Sequence, residues 1–316
     1  MELLRALASV MAPPDAAVAR VAATLELPAS PTPPEHAFLF QSQLPPLASL
    51  YLSANGEAGG DARDRIAGYW RAVGETPPSE PDHLLHMLAF YADLVEQEER
   101  ESDESRRHAV ARIRRAFYCE QLLAWLPGYV TKVDLIASRT YRRWGQLLEQ
   151  VVAREAWRAA AQSCLPGTLR RLQELGEPPA GDADVLLTYL VAPARSGLIL
   201  APVDLERAAD ELHVAAPRGS VRQGLASLFG MRQGPLLNWL AAEAKRWEAR
   251  HERNRGLLPA LSDHWTRRAR ATRALLLAWM RGEEVSAPAG TAAGQAALPA
   301  RRVGRPRGVV RGPTRM

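Results

Sequence analysis

Apolar residues recur at helical spacing along almost the whole chain, whereas the period-two alternation typical of half-buried strands is nearly absent. Leucine and alanine dominate, and the β-branched residues valine and isoleucine are sparse beside them. This pattern predicts an all-α protein. The sequence also contains no GxxxxGK[ST] phosphate loop, no GxGxxG turn and no GxSxG nucleophile elbow. We therefore expect no enzyme and no bound cofactor.

The formal charge is concentrated at the C-terminus. The 316-residue chain carries a net charge of +5, yet residues 301–316 hold six arginines and no acidic residue, which leaves residues 1–300 at −1. Residues 282–316 lack periodicity, so we expect a disordered Arg-rich tail. Its Gly-Arg-Pro core, between Arg301 and Gly308, has the pattern of segments that lie in an A·T-rich minor groove. A DNA-associated regulatory protein, with weak nucleic acid contact through this tail, is therefore the alternative function.

The sequence signals for helix starts and ends are clearest for two helices. The first is expected to begin at Ser79, because Ser79 and Asp82 have capping-box spacing and Pro81 falls in the first turn. The second is expected from about Asp103 to Leu126, ended by Pro127-Gly128, and the two should form an antiparallel hairpin. Further helices are predicted at residues 15–27, 37–52, 61–73, 129–162, 168–175, 182–191, 203–213, 219–229, 234–253 and 259–281.

Breaks between these helices predict the domain organisation. We expect an N-terminal helical segment (1–34), a helical domain (35–175), a linker (176–181), a C-terminal helical region (182–281) and the tail (282–316). The linker could also permit a domain-swapped homodimer.

The sequence indicates a reduced, cytoplasmic setting. Cys119 and Cys164 are far apart in sequence and lack CxxC spacing, so they predict neither a disulfide framework nor a zinc site. No uncharged apolar run is long enough to cross a bilayer. The first eleven residues contain Glu2 and Arg5, so we expect no secretory leader and no membrane insertion.

Two polar clusters have both a structural and a functional interpretation. His83 and His86 lie three residues apart beside Asp82, but no third or fourth ligand accompanies them, so we interpret them as first-turn polar residues and expect no metal site. Acidic residues crowd positions 96–104, and five arginines follow at positions 106–115. We interpret these blocks as a solvated, salt-linked turn of the hairpin, with a surface that attracts a cationic peptide as the alternative.

Two segments carry a resemblance to a known family. Glu80-Pro-Asp-His-Leu84 opens a helix and is followed by Leu-His-Met-Leu-Ala-Phe-Tyr-Ala-Asp-Leu94. Downstream, Phe117-Tyr-Cys-Glu-Gln-Leu-Leu-Ala-Trp-Leu-Pro127 is similar to a Phe-x-x-x-His-Leu-x-x-Trp-x-Pro segment, with Gln121 where that segment often has His. Together they resemble the TorD/DmsD-type molybdoenzyme maturation chaperones, which are related to the nitrate reductase delta subunit.

The resemblance implies a TorD-like helical bundle with a C-terminal helical extension. It further implies a non-catalytic cytoplasmic chaperone that binds the twin-arginine leader, or the apo form, of a molybdopterin oxidoreductase. Such a chaperone assists cofactor insertion and prevents premature export. The client enzyme, not this chain, would carry molybdopterin guanine dinucleotide.

A twin-arginine leader joins a cationic head to an apolar stretch, so a binder needs carboxylates beside an apolar groove. The residues that the resemblance nominates for client binding are Glu80, Pro81, Asp82, His83, Leu84, Tyr91, Phe117 and Trp125. Helix capping explains Pro81 and Asp82 equally well, and packing in the core is the competing role of the apolar and aromatic members.

Overall fold

Fifteen α-helices and two π-helical turns form the part of the chain that this computed structural model describes, residues 1–158, 164–178 and 181–282. No strand occurs in these ranges, where Leu47 and His83 form one isolated bridge pair. The all-α prediction is therefore confirmed. The elements are α1 (Glu2–Ser9), α2 (Ala16–Thr24), α3 (Pro33–His36), π1 (Ala37–Gln43), α4 (Ala48–Leu52), α5 (Gly60–Ala72), α6 (Leu84–Arg100), α7 (Glu104–Phe117), π2 (Tyr118–Leu122), α8 (Leu126–Ile136), α9 (Arg139–Arg158), α10 (Gly167–Glu174), α11 (Ala183–Leu190), α12 (Pro193–Ser196), α13 (Pro202–Leu212), α14 (Val221–Glu252) and α15 (Pro259–Arg281).

Two clusters of buried apolar side chains hold these helices together. The main core is built by α1, α2, π1, α4 to α7, π2 and α8 to α10, and residues of α12, α14 and α15, among them Trp247 and Trp265, also pack into it. The second core lies among α11, α13, α14 and α15. The second core includes Leu205, Leu225, Leu228, Leu237, Trp239 and Leu240, whereas Trp247 belongs to the main core.

Helices α6 and α7 pack against each other as the predicted hairpin. The acidic and basic blocks face each other across it, with Arg114 Nε 2.5 Å from a Glu98 carboxylate oxygen. The sequence did not indicate the partner from α1: Arg5 pairs with Asp93 at 2.5 Å and also with Glu96. This geometry favours the salt-linked interpretation of the two blocks.

The predicted start of the first hairpin helix at Ser79 is wrong. Helix α6 begins at Leu84, and its cap is His83, whose Nδ1 accepts a hydrogen bond from the Leu85 amide at 3.2 Å. His83 is held extended because the residues on both sides of it pair with residues 46–48. The Leu84 amide donates to the Pro46 carbonyl at 2.8 Å, and the Ala48 amide donates to the Asp82 carbonyl at 2.9 Å. Tertiary pairing therefore overrides the local capping-box signal.

The second helix of the hairpin, predicted from about Asp103 to Leu126, is not one continuous α-helix in the structure. Helix α7 ends at Phe117, and the chain widens into π2, where the Leu123 amide bonds to the Tyr118 carbonyl at 2.8 Å. Pro127 lies in the first turn of α8, where a missing backbone N–H costs nothing. The Pro-Gly pair that was expected to end a helix is therefore part of the start of the next one.

Two further helix predictions differ from the structure. The expected helix over 37–52 is divided into π1 and α4. The expected helix over 129–162 is interrupted at residues 137–138, between α8 and α9, and its residues 159–162 lie outside the described residues. The two helices expected at 219–229 and 234–253 are the two halves of α14, which are separated by a kink at Arg232, whose φ and ψ of −148° and 61° are not helical. Pro235 explains this kink, since its ring clashes with a carbonyl in the preceding turn.

Residues 283–316 of the Arg-rich tail, including its Gly-Arg-Pro motif, lie outside the described residues, so the predicted disorder stays a prediction. Residues 179 and 180 of the expected linker also lie outside them. The near end of that linker is anchored, since Glu177 pairs with Arg268 of α15 at 3.1 Å. Within the described ranges, no helix is both long enough and apolar enough to cross a membrane.

A buried ion pair joins the helices of residues 35–175 to the C-terminal helices. Lys132 of α8 and Asp204 of α13 are both almost completely buried, and the ammonium group is bonded to the carboxylate. Burial lowers the pKa of Lys132, and the charge of Asp204 opposes that shift. Asp204 also accepts the Ala201 amide at 2.7 Å, so its carboxylate holds the start of α13. An unpaired charge at this depth is costly, which makes the pair a strong constraint on how α13 docks.

We expect Lys132→Met to lower the free energy of unfolding by up to about 3–5 kcal/mol, because it removes the buried ammonium partner of Asp204 and leaves only the half-exposed Arg207 at 3.4 Å. Urea denaturation followed by circular dichroism measures this loss. Lys245, the other lysine of the chain, is exposed on α14, and Lys245→Met should change the unfolding free energy by no more than about 0.5 kcal/mol. Equal effects of the two substitutions would contradict the assignment.

Candidate functional site

The segment Glu80–Leu84 lies where the start of α6 meets the start of α4. Its main chain pairs with residues 46–48, and it turns between Glu80 and His83, where the His83 amide donates to the Glu80 carbonyl at 3.1 Å. Asp82 points inward and is 2% exposed, whereas Glu80 is exposed and His83 is half-buried. The segment therefore divides into a buried part and a surface part.

The Asp82 carboxylate is the centre of a short hydrogen-bond relay. It accepts the Ser49 hydroxyl, and the Ser49 amide lies 3.3 Å from the same oxygen. The Ser49 hydroxyl oxygen in turn accepts the Gly59 amide at 2.9 Å. Ser49 is completely buried, so neither group can exchange its partner for water. Asp82 thereby fixes both α4 and the end of the loop formed by residues 53–59.

This loop separates two clefts, and Asn55, Glu57 and Thr188 line both of them. The first cleft, of about 570 Å³, lies between α4 and the C-terminal helices. The second cleft, of about 640 Å³, lies between the loop, α5 and α10. Gly56 has a φ of 72°, and a Cβ atom there would overlap the carbonyl oxygen of Val191. The loop is thus packed directly against the end of α11.

The wall of the first cleft is largely apolar. The residues 35–131 supply Leu44, Leu50 and Tyr51 to it, and the C-terminal region supplies Val191, Ile199 and Val221. The first cleft also has Arg222 in its lining, whose guanidinium group pairs with Asp184 at 2.5 Å, whereas three arginines, Arg65, Arg171 and Arg195, line the second cleft. Burial lowers the pKa of Arg65, and the nearby charge of Arg171 lowers it further. An apolar peptide segment therefore fits the first cleft better than the second.

Glu80, His83 and His86 form the surface part of the segment. The rings of His83 and His86 are 5.9 Å apart between centroids, edge to face. Burial lowers the pKa of His83, while the charge of Glu80 raises it, so the ring is mainly neutral near pH 7. Among the described residues, no group of three or more ligand side chains could hold a metal ion. These histidines therefore offer hydrogen bonds at the surface.

The other nominated residues are inside the protein and cannot touch a client in this conformation. Tyr91 donates a hydrogen bond to Glu155 at 2.9 Å, and Trp125 stacks on Tyr51 with ring centroids 4.8 Å apart. Phe117 packs edge to face on Phe90 at 5.0 Å. The helical stripe faces inward because burying large aromatic side chains is the main gain of packing α6 against α7. The nominated residues that are buried are Pro81, Asp82, Leu84, Tyr91, Phe117 and Trp125.

Sequence reasoning missed the lining of the first cleft. Ser49 had no motif of its own, and Val191, Ile199 and Val221 are separated from α4 by well over a hundred residues. A single apolar position on a helix gives no signal that distinguishes a cleft wall from a core. The Asn55-Gly56 and Gly59-Gly60 pairs were the one available sign, since they mark the loop that separates the clefts.

Comparison with known protein families gives a match for the segment that contains the Asp82 relay and the loop between the clefts. Residues 35–131, just under a third of the chain, match the family described as "Nitrate reductase delta subunit". Neither the curated proteins nor the solved structures yielded a match. The matched range runs from α3 into α8, so it contains the relay, the loop and both signature segments. Residues 35–131 are therefore similar to the nitrate reductase delta subunit family, whose members are chaperones of molybdoenzyme maturation.

Proposed function

We propose that this protein binds the twin-arginine leader of an apo molybdopterin oxidoreductase and retains the client until its cofactor is inserted. The observation that carries the proposal is the apolar first cleft, which the family segment builds together with the C-terminal helices. In this proposal the leader's apolar stretch occupies the first cleft. No step in it requires a catalytic group or a cofactor in this chain.

The dimensions and lining of the first cleft support this occupant. A volume of about 570 Å³ admits a few side chains of a bound peptide rather than a folded domain. Its walls contribute more apolar than polar surface, and Glu57 supplies a carboxylate at the rim. A leader combines these two requirements, since its apolar residues lose contact with water and its arginines need anions nearby.

The exposed part of the signature offers a second contact for the cationic head. Glu80 is solvent-exposed and supplies the carboxylate for this contact, and the neutral His83 ring beside it, whose Nδ1 accepts the Leu85 amide, has its Nε2–H left as a hydrogen-bond donor. Contacts of this kind at an exposed site contribute modestly to affinity and are weakened by salt. This contact therefore contributes more to selectivity for the leader over other apolar peptides than to the affinity of binding.

Asp82 has a positioning role in this proposal rather than a contact role. Through Ser49 it holds α4, which carries Leu50 and Tyr51 of the cleft wall, and through Gly59 it holds the loop that forms the rim. The buried part of the signature thus supports the shape of the first cleft, and the surface part recognises charge.

Ser49→Ala should lower the free energy of unfolding by about 1–3 kcal/mol, because it leaves the buried Asp82 carboxylate and the Gly59 amide without a shared partner. Hydrogen exchange of the Gly59 amide should accelerate in the same variant. Ser53 is the matched control, since its buried hydroxyl has no hydrogen-bond partner among the described residues. Ser53→Ala should leave both measurements nearly unchanged, and a loss as large as that of Ser49→Ala would contradict the relay.

Leader binding is measured by calorimetry with a peptide in which two consecutive arginines precede an uncharged apolar stretch. Val221→Arg places a cation in the wall of the first cleft and should weaken binding at least about tenfold, since it removes apolar burial worth about 1.5 kcal/mol or more. Glu80→Gln should weaken it about two- to fivefold at low salt.

Two variants of matched chemistry serve as controls for this titration. Val185→Arg changes a partly exposed valine of α11 outside both clefts, and Glu211→Gln changes an exposed carboxylate of α13. Both should bind the peptide as the unmodified chain does. Absence of binding by the unmodified chain, or equal losses for Val221→Arg and Val185→Arg, would refute the proposal.

A further inference from the structure

The second cleft contains three arginines that the proposed leader binding does not use. Arg65 comes from α5, Arg171 from α10 and Arg195 from α12, so three separate helices bring an arginine to the wall of one cavity of about 640 Å³. Among the described residues, none of the three forms an ion pair with a carboxylate. The positive charge of this cavity therefore has no counterpart of its own.

Two of these arginines are held in place by neutral partners. Arg171 donates a hydrogen bond to the Thr168 hydroxyl at 3.1 Å. Arg195 donates to the Gly176 carbonyl at 3.2 Å, and its guanidinium carbon lies 5.3 Å from the centre of the Tyr189 ring. Such partners orient a guanidinium group without neutralising it. This is the arrangement of an anion site rather than of a structural ion pair.

The charges in the lining of the second cleft are unbalanced. Burial lowers the pKa of Arg65, and the like charge of Arg171 lowers it further, so the two cations are close enough to repel each other. Two carboxylates also belong to the lining. The charge of Asp61 opposes the shift of Arg65, and Glu57 accepts a hydrogen bond from the Asn55 side-chain amide at 2.6 Å. Three guanidinium groups thus outnumber two carboxylates, and a bound anion would relieve their repulsion.

The same lining holds hydrogen-bond donors that lack an acceptor. Helix α5 has Gly59 at its N-cap, so no side chain caps its first amides, which belong to residues 60–62 of the cleft wall. The Ser53 hydroxyl and Nε of Arg195 are buried and have no hydrogen-bond partner within the described part of the chain. Buried polar groups are nearly always bonded. A ligand with several acceptor oxygens therefore suits this wall.

We propose that the second cleft binds a phosphate-bearing small molecule, whose phosphate group is held by Arg65, Arg171 and Arg195 at the start of α5. The convergence of the three arginines carries the proposal, together with the unpartnered donors beside them. A phosphate group offers more acceptor oxygens and more negative charge than a carboxylate, so it can bond to several guanidinium groups at once. The volume of about 640 Å³ lies in the range of small-molecule sites and leaves room for the group that carries the phosphate.

Calorimetric titration of the full chain with inorganic pyrophosphate at low salt tests the proposal. We expect saturable binding, with bound pyrophosphate protecting the amides of residues 60–62 from hydrogen exchange. Arg65→Gln and Arg171→Gln should each weaken binding at least about tenfold, because each removes a charge-assisted hydrogen bond. The exchange measurement needs no variant, so it tests the site even where a substitution disturbs folding.

Two further substitutions give matched controls. Arg170→Gln removes an exposed arginine that adjoins Arg171 in sequence but does not line the cleft, and it should change the affinity by less than about twofold. Asp61→Asn removes a carboxylate of the lining and should strengthen binding about two- to fivefold. Succinate, a dianion without a phosphate group, should bind at least about tenfold more weakly than pyrophosphate.

Three outcomes would overturn the proposal. The first is absence of pyrophosphate binding by the unmodified chain. The second is an equal effect of Arg170→Gln and Arg171→Gln, or no effect of any substitution, since the anion would then be attracted elsewhere on the chain. The third is tighter binding of succinate or of a glutamate-rich peptide than of pyrophosphate, which would assign the second cleft to a carboxylate ligand.

Discussion

The hydrogen bond from the Ser49 hydroxyl to the buried Asp82 carboxylate is the interaction on which the site depends. It joins the start of α6 to α4, and through the Gly59 amide it holds the loop between the two clefts. A buried carboxylate without these donors would be strongly disfavoured, so the three groups are stable only together. The first cleft owes its shape to this relay, because α4 supplies part of its wall.

Most nominated residues of the signature are buried because they pack into the main core. The nominated side chains of α6 and α7, together with Trp125 between π2 and α8, build the main core, and Asp82 is the one carboxylate of the signature held inside with them. A signature of this kind determines the position of a helix start and of the neighbouring loop. Glu80 and His83 then form the part of the signature that a partner can reach.

The C-terminal helices contribute to the same construction. Trp247 and Trp265 pack into the main core, and the Lys132–Asp204 pair fixes α13 against α8. Because Gly56 abuts the end of α11, the first cleft has one wall from residues 35–131 and one from the C-terminal region. The matched family segment alone therefore does not form the complete cleft.

Local sequence signals predicted the elements that depend on local energetics. The helical fold class, the α6–α7 hairpin and the bounds of α15 followed from apolar periodicity and terminal residues. The start of α6 at Leu84 did not, since pairing with residues 46–48 competes with the Ser79 capping box and is not visible locally. The break at residues 137–138 had no proline or glycine to mark it, and the Pro127-Gly128 signal fits the start of a helix as well as its end.

By itself, the sequence determined that the chain is helical and that two ordered segments, the first opened by Glu80, Pro81, Asp82 and His83, resemble a known chaperone family. Only the tertiary structure decided that Asp82 faces Ser49 and that Tyr91, Phe117 and Trp125 are core residues. The physical reason is the range of the interactions. Helix periodicity and capping act within a few residues, whereas burial and the relay join positions that are neighbours only after the helices have packed.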